Sequence, residues 1–412
     1  MEIARRPGGL TQPAGQRHVL ILVENLSVPF DRRVWQESCA LVDAGYRVTV
    51  ICPAGANRDR EPEVTIDGVR ILRYPLTPAS GGPAGYLREY STALWHTSVL
   101  AAKVRRESRV DVVQACNPPD LLFLIALMLR PFGARFVFDH HDLVPELFLS
   151  RFPGSRPLLH RLTKIVERLT FAAADAVIST NDSYRRVALT RGKIAPDDVA
   201  VVRSAPDLSR FIQRDPDDSL RRGKRYLLAY IGVMGPQDGV DYALRSLKLL
   251  KEEFGRDDVH AIFMGAGDVY DEMVELSKQL GIQDCVEFPG RVPDEFVQRC
   301  LSTADVCLAP DPLNPLNDVS TMNKIVEYMA MSRPIVSFDL VEARVSAGDA
   351  AVYVPANDER AFAHAIDNLL DRPEQRARMG EVGRARVESQ LSWDVSRRNL
   401  TAFYQRLFDR TG

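Results

Sequence analysis

Asn323, Lys324 and Glu327 stand about one helical turn apart in DVSTMNKIVEYMA, residues 318–330. Ser320 and Thr321 just before them are N-cap residue types, so a helix is expected over 321–331 with its first amides pointing outward. Outward amides beside Lys324 suit a phosphate. Asn323 and Glu327 are four apart and share a helix face, where Glu327 can accept hydrogen bonds from sugar hydroxyls. An ordinary capped helix would show the same residues, so other segments must decide.

The segment FVFDHHDLVPE, 136–146, places Asp139, His140, His141 and Asp142 after an apolar run. A histidine beside a carboxylate can be held in one tautomer and bind a hydroxyl group. The plainer alternative packs one histidine under the Pro145 turn and leaves the other solvated. ENLSVPFDRRVWQE, 24–37, offers Asp31, Arg32, Arg33 and Glu37 to a polar acceptor and Trp35 as a stacking face. Arg33 and Glu37 read equally well as a surface pair worth about 0.3–0.5 kcal/mol. In Met264-Gly265-Ala266-Gly267-Asp268 the small residues let backbone approach a ligand. A dinucleotide reading would need GxGxxG after the first strand of its domain, and here the glycines follow a later one.

These segments need a scaffold, and the composition supports one. The 412 residues are 45% hydrophobic and 26% charged, as in globular proteins. That length suggests roughly two to three domains of about 100–200 residues each. The longest apolar run, Leu121–Leu129, falls short of the ~20 residues a bilayer span needs. No basic-then-apolar leader opens the chain, and residues 1–16 are expected to form a loose tail. Six scattered cysteines fit buried thiols in a reducing cytoplasm. Seven histidines without metal-ligand spacing make a zinc site unexpected. Residues 151–210 carry 11 Lys+Arg against 6 Asp+Glu. That excess suits an anionic membrane surface or a phosphorylated acceptor, although a solvated helix face would look the same. No nucleic-acid partner is expected.

Strand-like and helical runs alternate throughout. HVLILV (18–23) reads as a buried parallel strand, followed by a helix that Asp31 can cap and a second strand at 47–52. Further strands are expected at 69–74, 110–114, 135–139, 176–179 and 199–202. Residues 203–224 are polar, contain two prolines and lack periodicity, which suits a linker. The pattern restarts with strands at 226–231, 260–264, 285–288, 305–308 and 334–338. The reading is α/β: two Rossmann-like, doubly wound domains (17–205 and 225–390) facing across a cleft, joined by 206–224, with 391–412 as a returning C-terminal helix.

In order and spacing, these pieces resemble the retaining glycosyltransferases of family 4, which have the GT-B fold. The carriers are ENLSVPFDRRVWQE with AGYRVTVICP, DHHDLVPE, FMGAGD, VEFPGRVP, the run from ADVCLAP to RPIVSFD, and LSWD before the terminal helix. The resemblance spans residues 18 to 408. It implies a nucleotide-sugar donor, a UDP-sugar by family frequency, on the C-terminal domain. It also implies a glycan or lipid-linked acceptor on the N-terminal domain, no metal or other cofactor, and transfer with retained configuration. Glu327 matches the second glutamate of the family's EX7E motif, which typically holds the ribose hydroxyls. His141-Asp142 matches the loop whose histidine contacts the donor sugar. Gly232, Gly265 and Arg291 match positions lining the nucleotide pocket.

Three departures stand out. Val233 and Asp238 replace the Arg and Lys of the family's GRxxxxKG clamp. The first EX7E glutamate falls on Val319, one residue from Asp318. NLSVP replaces the glycine-rich turn after the first strand. The expectation is that Lys324 and the amides of 320–323 take over the diphosphate. A GT-B-like subunit that binds nucleotide or a partner without transfer is the alternative. The expected place is the cytoplasm, with peripheral contact at the membrane's inner face.

Overall fold

Short apolar runs punctuated by glycine, proline and polar turns become the strands of two separate sheets. The computed structural model describes residues 16–55, 59–76, 82–151, 157–209 and 211–410, so the expected tail lies outside it except for residue 16. One compact unit runs up to Arg203 and takes in the chain again from Ser396; the other is Ser204–Val395.

The first unit holds β1 (His18–Leu22), β2 (Arg47–Pro53), β3 (Glu63–Ile66), β4 (Val69–Tyr74), β5 (Val112–Cys116), β6 (Arg135–His140), β7 (Ala176–Ser179) and β8 (Val199–Val201). They line up as β3-β4-β2-β1-β5-β6-β7-β8, with every pairing parallel except β3 with β4. All five residues of β1 are buried, which is why it reads as an uninterrupted apolar run rather than an alternating one. The β3–β4 hairpin was missed in the sequence reading. Its signal is Asp67-Gly68, both at positive φ, the two-residue turn that matches strand twist.

The second unit holds β9 (Tyr226–Ile231), β10 (Val259–Met264), β11 (Val286–Gly290), β12 (Val306–Ala309), β13 (Ile335–Phe338) and β14 (Ala351–Val354), ordered β11-β10-β9-β12-β13-β14 and all parallel. Residues 204–224 belong to this unit. Both sheets are doubly wound α/β. The helix Trp393–Asp409 begins in the second unit and continues into the first, where Leu400, Phe403 and Tyr404 are buried. Among the described residues no helix is long and apolar enough to cross a membrane.

Just past β1, Glu24 is buried with Oε1 lacking a hydrogen-bond partner among the described residues. Burial, with some help from the negative charge of Glu89, pushes its pKa up to about 8. A carboxyl raised on folding favours the protonated state. Its contribution is therefore present below the unfolded value of 4.5 and lost as pH rises through about 8. Glu24→Gln is expected to reduce the loss of stability between about pH 5 and 8.5 in denaturant titrations. An equal loss in the variant would contradict this.

Candidate active site

In the second unit the loops after β9, β10 and β11 are joined backbone to backbone. Gly232 N donates to Met264 O (3.1 Å), Met234 N to Ala266 O (3.2 Å), and Gly265 N to Gly290 O (2.9 Å). A Cβ on Gly265, at φ +150, would lie 1.8 Å from the Gly232 carbonyl oxygen. A Cβ on Gly239, at φ +70, would lie 2.0 Å from Pro310 O. Only glycine permits these approaches. They bring Gly232, Gly265 and the exposed Arg291 to the carboxyl ends of adjacent strands, where open α/β sheets bind ligands.

The helix beside these loops is Asn323–Ala330, shorter than expected, with Met322 at the cap position and no side-chain cap bond. Ser320 and Thr321 are therefore not caps. Ser320 Oγ donates to Leu316 O (2.7 Å), and Thr321 Oγ1 lies 3.5 Å from Glu342. The chain makes a 3-10 turn at Asn317–Val319 first, which moves the helix start beyond both residues. Asp318, next to the position where the family has its first glutamate, accepts from Val341 N (2.9 Å).

Tyr328 staples the helix to the sheet. Its hydroxyl accepts from Ile231 N and donates to Leu308 O, each at 3.0 Å. With Tyr328 inward, Lys324 is buried one turn earlier, while Asn323 is exposed and Glu327 half-buried on their shared face. Lys324 Nζ lies 2.6 Å from Asp311 Oδ1, 3.4 Å from Tyr230 Oη and 4.8 Å from the Tyr230 ring centre. Burial pulls its pKa down, but Asp311, Tyr230 and Asp238 together outweigh burial and raise it. Lys324 is thus paired with an anion of its own, Asp311. A Cβ on Gly232 would come within 3.2 Å of Lys324 Cε, so the lysine lies against the Gly232 loop. Asp238, at the clamp's lysine position, accepts from Gly235 N (2.9 Å), while Val233 is exposed.

In the first unit Asp31 caps the helix Arg32–Asp43 by accepting from Val34 N (3.1 Å). Arg32 is exposed and Trp35 half-buried. Arg33 is buried and points inward, so its pairing with Glu37 is not a surface one. Its Nη2 lies 2.9 Å from Glu37 Oε1 and 3.1 Å from Asp139 Oδ1, Nη1 donates to Val202 O (2.7 Å), and Nε donates to His141 Nε2 (2.7 Å). Asn117 Oδ1 accepts from the amides of His141 and Asp142 (2.7 and 3.1 Å), fixing the loop after β6.

Behind Arg33, Gln114 Nε2 donates to Glu37 Oε2 and Asp139 Oδ2, both at 2.7 Å, and Tyr404 Oη donates to Gln114 Oε1. Burial would raise the Asp139 pKa, but His141 and Arg33 drive it well below the ordinary carboxylate range. Glu37 is raised by burial, which outweighs Arg33. Burial and Arg33 pull His141 down, while Asp139 and Glu37 carry it above the usual imidazole value. His140 packs among Phe138, Phe171 and Tyr184, neither ring nitrogen has a hydrogen-bond partner among the described residues, and burial lowers its pKa to about 3.

Cys116, Asp139 and His141 offer donor atoms within 4.8 Å of one another. The set fits a metal poorly, because Arg33 already supplies a cation to Asp139 and His141. Burial also raises the Cys116 thiol well above its usual value, away from the ligating thiolate. Asp311, Gln114 and Tyr404 were not singled out in the sequence. Gln114 had a signal, a polar residue inside the apolar strand VVQAC, and Asp311 another, a charge two residues past a buried strand.

Residues 31–205 match the family described as glycosyl transferase 4-like domain, and 225–372 match glycosyl transferases group 1. The two matches together span most of the chain. It belongs to the group 1 glycosyl transferases. This glycosyltransferase is 25% identical over 385 residues to alpha-D-kanosaminyltransferase of Streptomyces kanamyceticus, covering 88% of this chain and 95% of that one. It is 27% identical over 322 residues to the putative colanic acid biosynthesis glycosyltransferase WcaL of Escherichia coli, covering 75% and 74%. Sucrose-phosphate synthase of Thermosynechococcus elongatus shares the fold at TM-score 0.77 and 16% identity, covering 96% of this chain and 100% of that one.

Removing one partner of a buried ion pair strands the other charge, at about 3–5 kcal/mol, whereas replacing both with apolar groups is often neutral or better. Lys324→Met is therefore expected to lower the denaturation midpoint strongly, and Asp311→Leu/Lys324→Met to restore it. A double variant as unstable as the single one would show that the pair itself is not the source.

Proposed function

We propose that the enzyme is a retaining glycosyltransferase that uses a nucleotide sugar, a UDP-sugar first among them, and transfers to a hydroxyl of a glycan or lipid-linked acceptor. The observation that carries the reading is the set of glycine loops at Gly232, Gly265 and Gly290, joined backbone to backbone beside the helix bearing Glu327. A phosphate-bearing ligand needs such close backbone approach. The Anabaena protein HepE, of the same fold at TM-score 0.70 and 14% identity over 94% of this chain and 99% of that one, has been solved with UDP-glucose. The finer claims rest on the family resemblance.

Glu327 and Asn323 would hold the ribose and Gly232 and Gly265 the nucleotide, while Arg291, Lys324 and the amides near Ser320 and Thr321 meet the diphosphate. His141 would contact the transferred sugar, with Asp142 beside it, and Arg32 and Trp35 the acceptor. Leaving-group departure and acceptor entry occur on one side of the sugar, with no metal. Arg291 is the exposed cation of the set, while Lys324 must share or leave Asp311 to act.

An anionic membrane surface is the proposed location of a lipid-linked acceptor. On the helix Pro157–Ala173, Leu158, Leu162, Ile165 and Leu169 are 80%, 52%, 47% and 51% exposed. They follow helical spacing along one stripe. Arg161, Lys164 and Arg168 are exposed beside it, and the helix's acidic residue, Glu167, is buried against Arg191. Apolar area with basic flanks is the pattern of a helix lying in a lipid interface.

Nucleotide release should be measured across UDP-, GDP- and ADP-sugars with glycan and lipid-linked acceptors, and the product anomer determined. An inverted anomer, or nucleotide binding without turnover on any pair, would overturn the reading. Arg291→Ala and the Asp311→Leu/Lys324→Met double variant are each expected to lose about 10²–10³ in kcat, the scale of a lost charge-stabilising group. Rates within a few-fold of wild type would remove these cations from the mechanism. Sedimentation with anionic vesicles is expected to weaken with salt and with Leu162→Glu; binding indifferent to both would contradict the membrane assignment.

A further inference from the structure

His141 Nε2 lies between two groups that make opposite demands. Arg33 Nε–H points at it from 2.7 Å, and Asp139 Oδ2 lies 2.9 Å away. A guanidinium does not lose its proton in a protein, so the Arg33 donor is permanent. A neutral imidazole carries one hydrogen. If that hydrogen were on Nε2, two N–H groups would face each other at 2.7 Å. We propose that Arg33 is a positioning residue that keeps a hydrogen on His141 Nδ1, so that the ring meets its ligand as a hydrogen-bond donor. In the cationic ring, which Asp139 and Glu37 favour and Arg33 opposes, both nitrogens carry hydrogen and the one on Nε2 is directed at Asp139 Oδ2, so Nδ1 is a donor in either charge state. The proton that titrates is the one on Nε2.

The surroundings permit this tautomer. With Nε2 bare, Asp139 Oδ2 still accepts from Gln114 Nε2 (2.7 Å) and faces the Cys116 thiol (3.5 Å), while Oδ1 receives Arg33. The Gln114 amide cannot turn over without cost, because Tyr404 Oη donates to its oxygen while both carboxylates take its N–H groups. Arg33 itself is anchored by Glu37 and the Val202 carbonyl. Among the described residues the charged and titratable groups around the ring are Arg33 and Glu37 from the helix Arg32–Asp43, Cys116 from β5, and Asp139 and His140 from β6, with Asp142 next in the chain. Nδ1 has no hydrogen-bond partner among the described residues, and the side chain keeps 15% of its surface exposed.

A ring fixed in this way donates to an acceptor oxygen, such as a sugar hydroxyl, and its Nδ1 does not serve as a base. That the oxygen belongs to the donor sugar rests on the proposed function; the tautomer does not. Nitrogen-15 NMR of histidine-labelled protein without ligand, with His141→Asn to assign the signal, reads it directly. Over a titration from about pH 6 to 10, spanning the imidazole range, Nδ1 is expected to keep a protonated-type shift while Nε2 changes. In Arg33→Lys, which keeps the charge but removes the Nε–H, the neutral ring is expected to move its hydrogen to Nε2, bonded to Asp139. An unprotonated Nδ1 in the neutral wild-type ring overturns the proposal whether or not the variant folds. So does a variant spectrum identical to wild type. Turnover failing while the tautomer holds would count against the function and not against the positioning.

Discussion

A buried guanidinium that cannot be neutralised must be surrounded by acceptors, and Arg33 organises the first unit's site on that condition. Glu37 one turn later, Asp139 at the end of β6, the Val202 carbonyl and His141 Nε2 all answer it. The cost of burying one charge is met by ordering four other groups, and the order reaches Tyr404 through Gln114. Residues from five separate stretches of chain are thereby held in one geometry, with His141 at its exposed end.

The second unit applies the same rule more simply. Lys324 enters the interior with its own anion, Asp311, and Tyr328 sets its depth by tying the helix to β9 and β12. The ammonium lies against the Gly232 loop, while that loop and its neighbours join through backbone contacts that a Cβ would forbid. One site is built from paired charges and the other mainly from missing side chains. Both arrangements resist displacement, the first electrostatically and the second sterically.

Local chemistry and long-range packing can be separated residue by residue. Asp31 as a helix cap was legible because capping needs only a short side chain and a backbone amide three residues on. The strands β1, β2, β9 and β10 were legible because both faces of a parallel sheet are covered, so their sequences are continuously apolar. The cap of the second unit's helix was misread, since Ser320 and Thr321 have suitable side chains but follow a 3-10 turn. Glu327 and Asn323 sharing a face followed from helix periodicity alone.

By itself the sequence determined the α/β class, two repeats of the strand–helix pattern, the glycine positions and the residue types at each strand end, because these depend on spacing of two to four residues. Only the tertiary structure decided which charges meet. Arg33 lies far along the chain from Asp139 and His141, and Tyr404 lies farther still from Gln114. No local pattern records such pairings, because a side chain's role depends on which opposite charge the fold brings within about 3 Å of it.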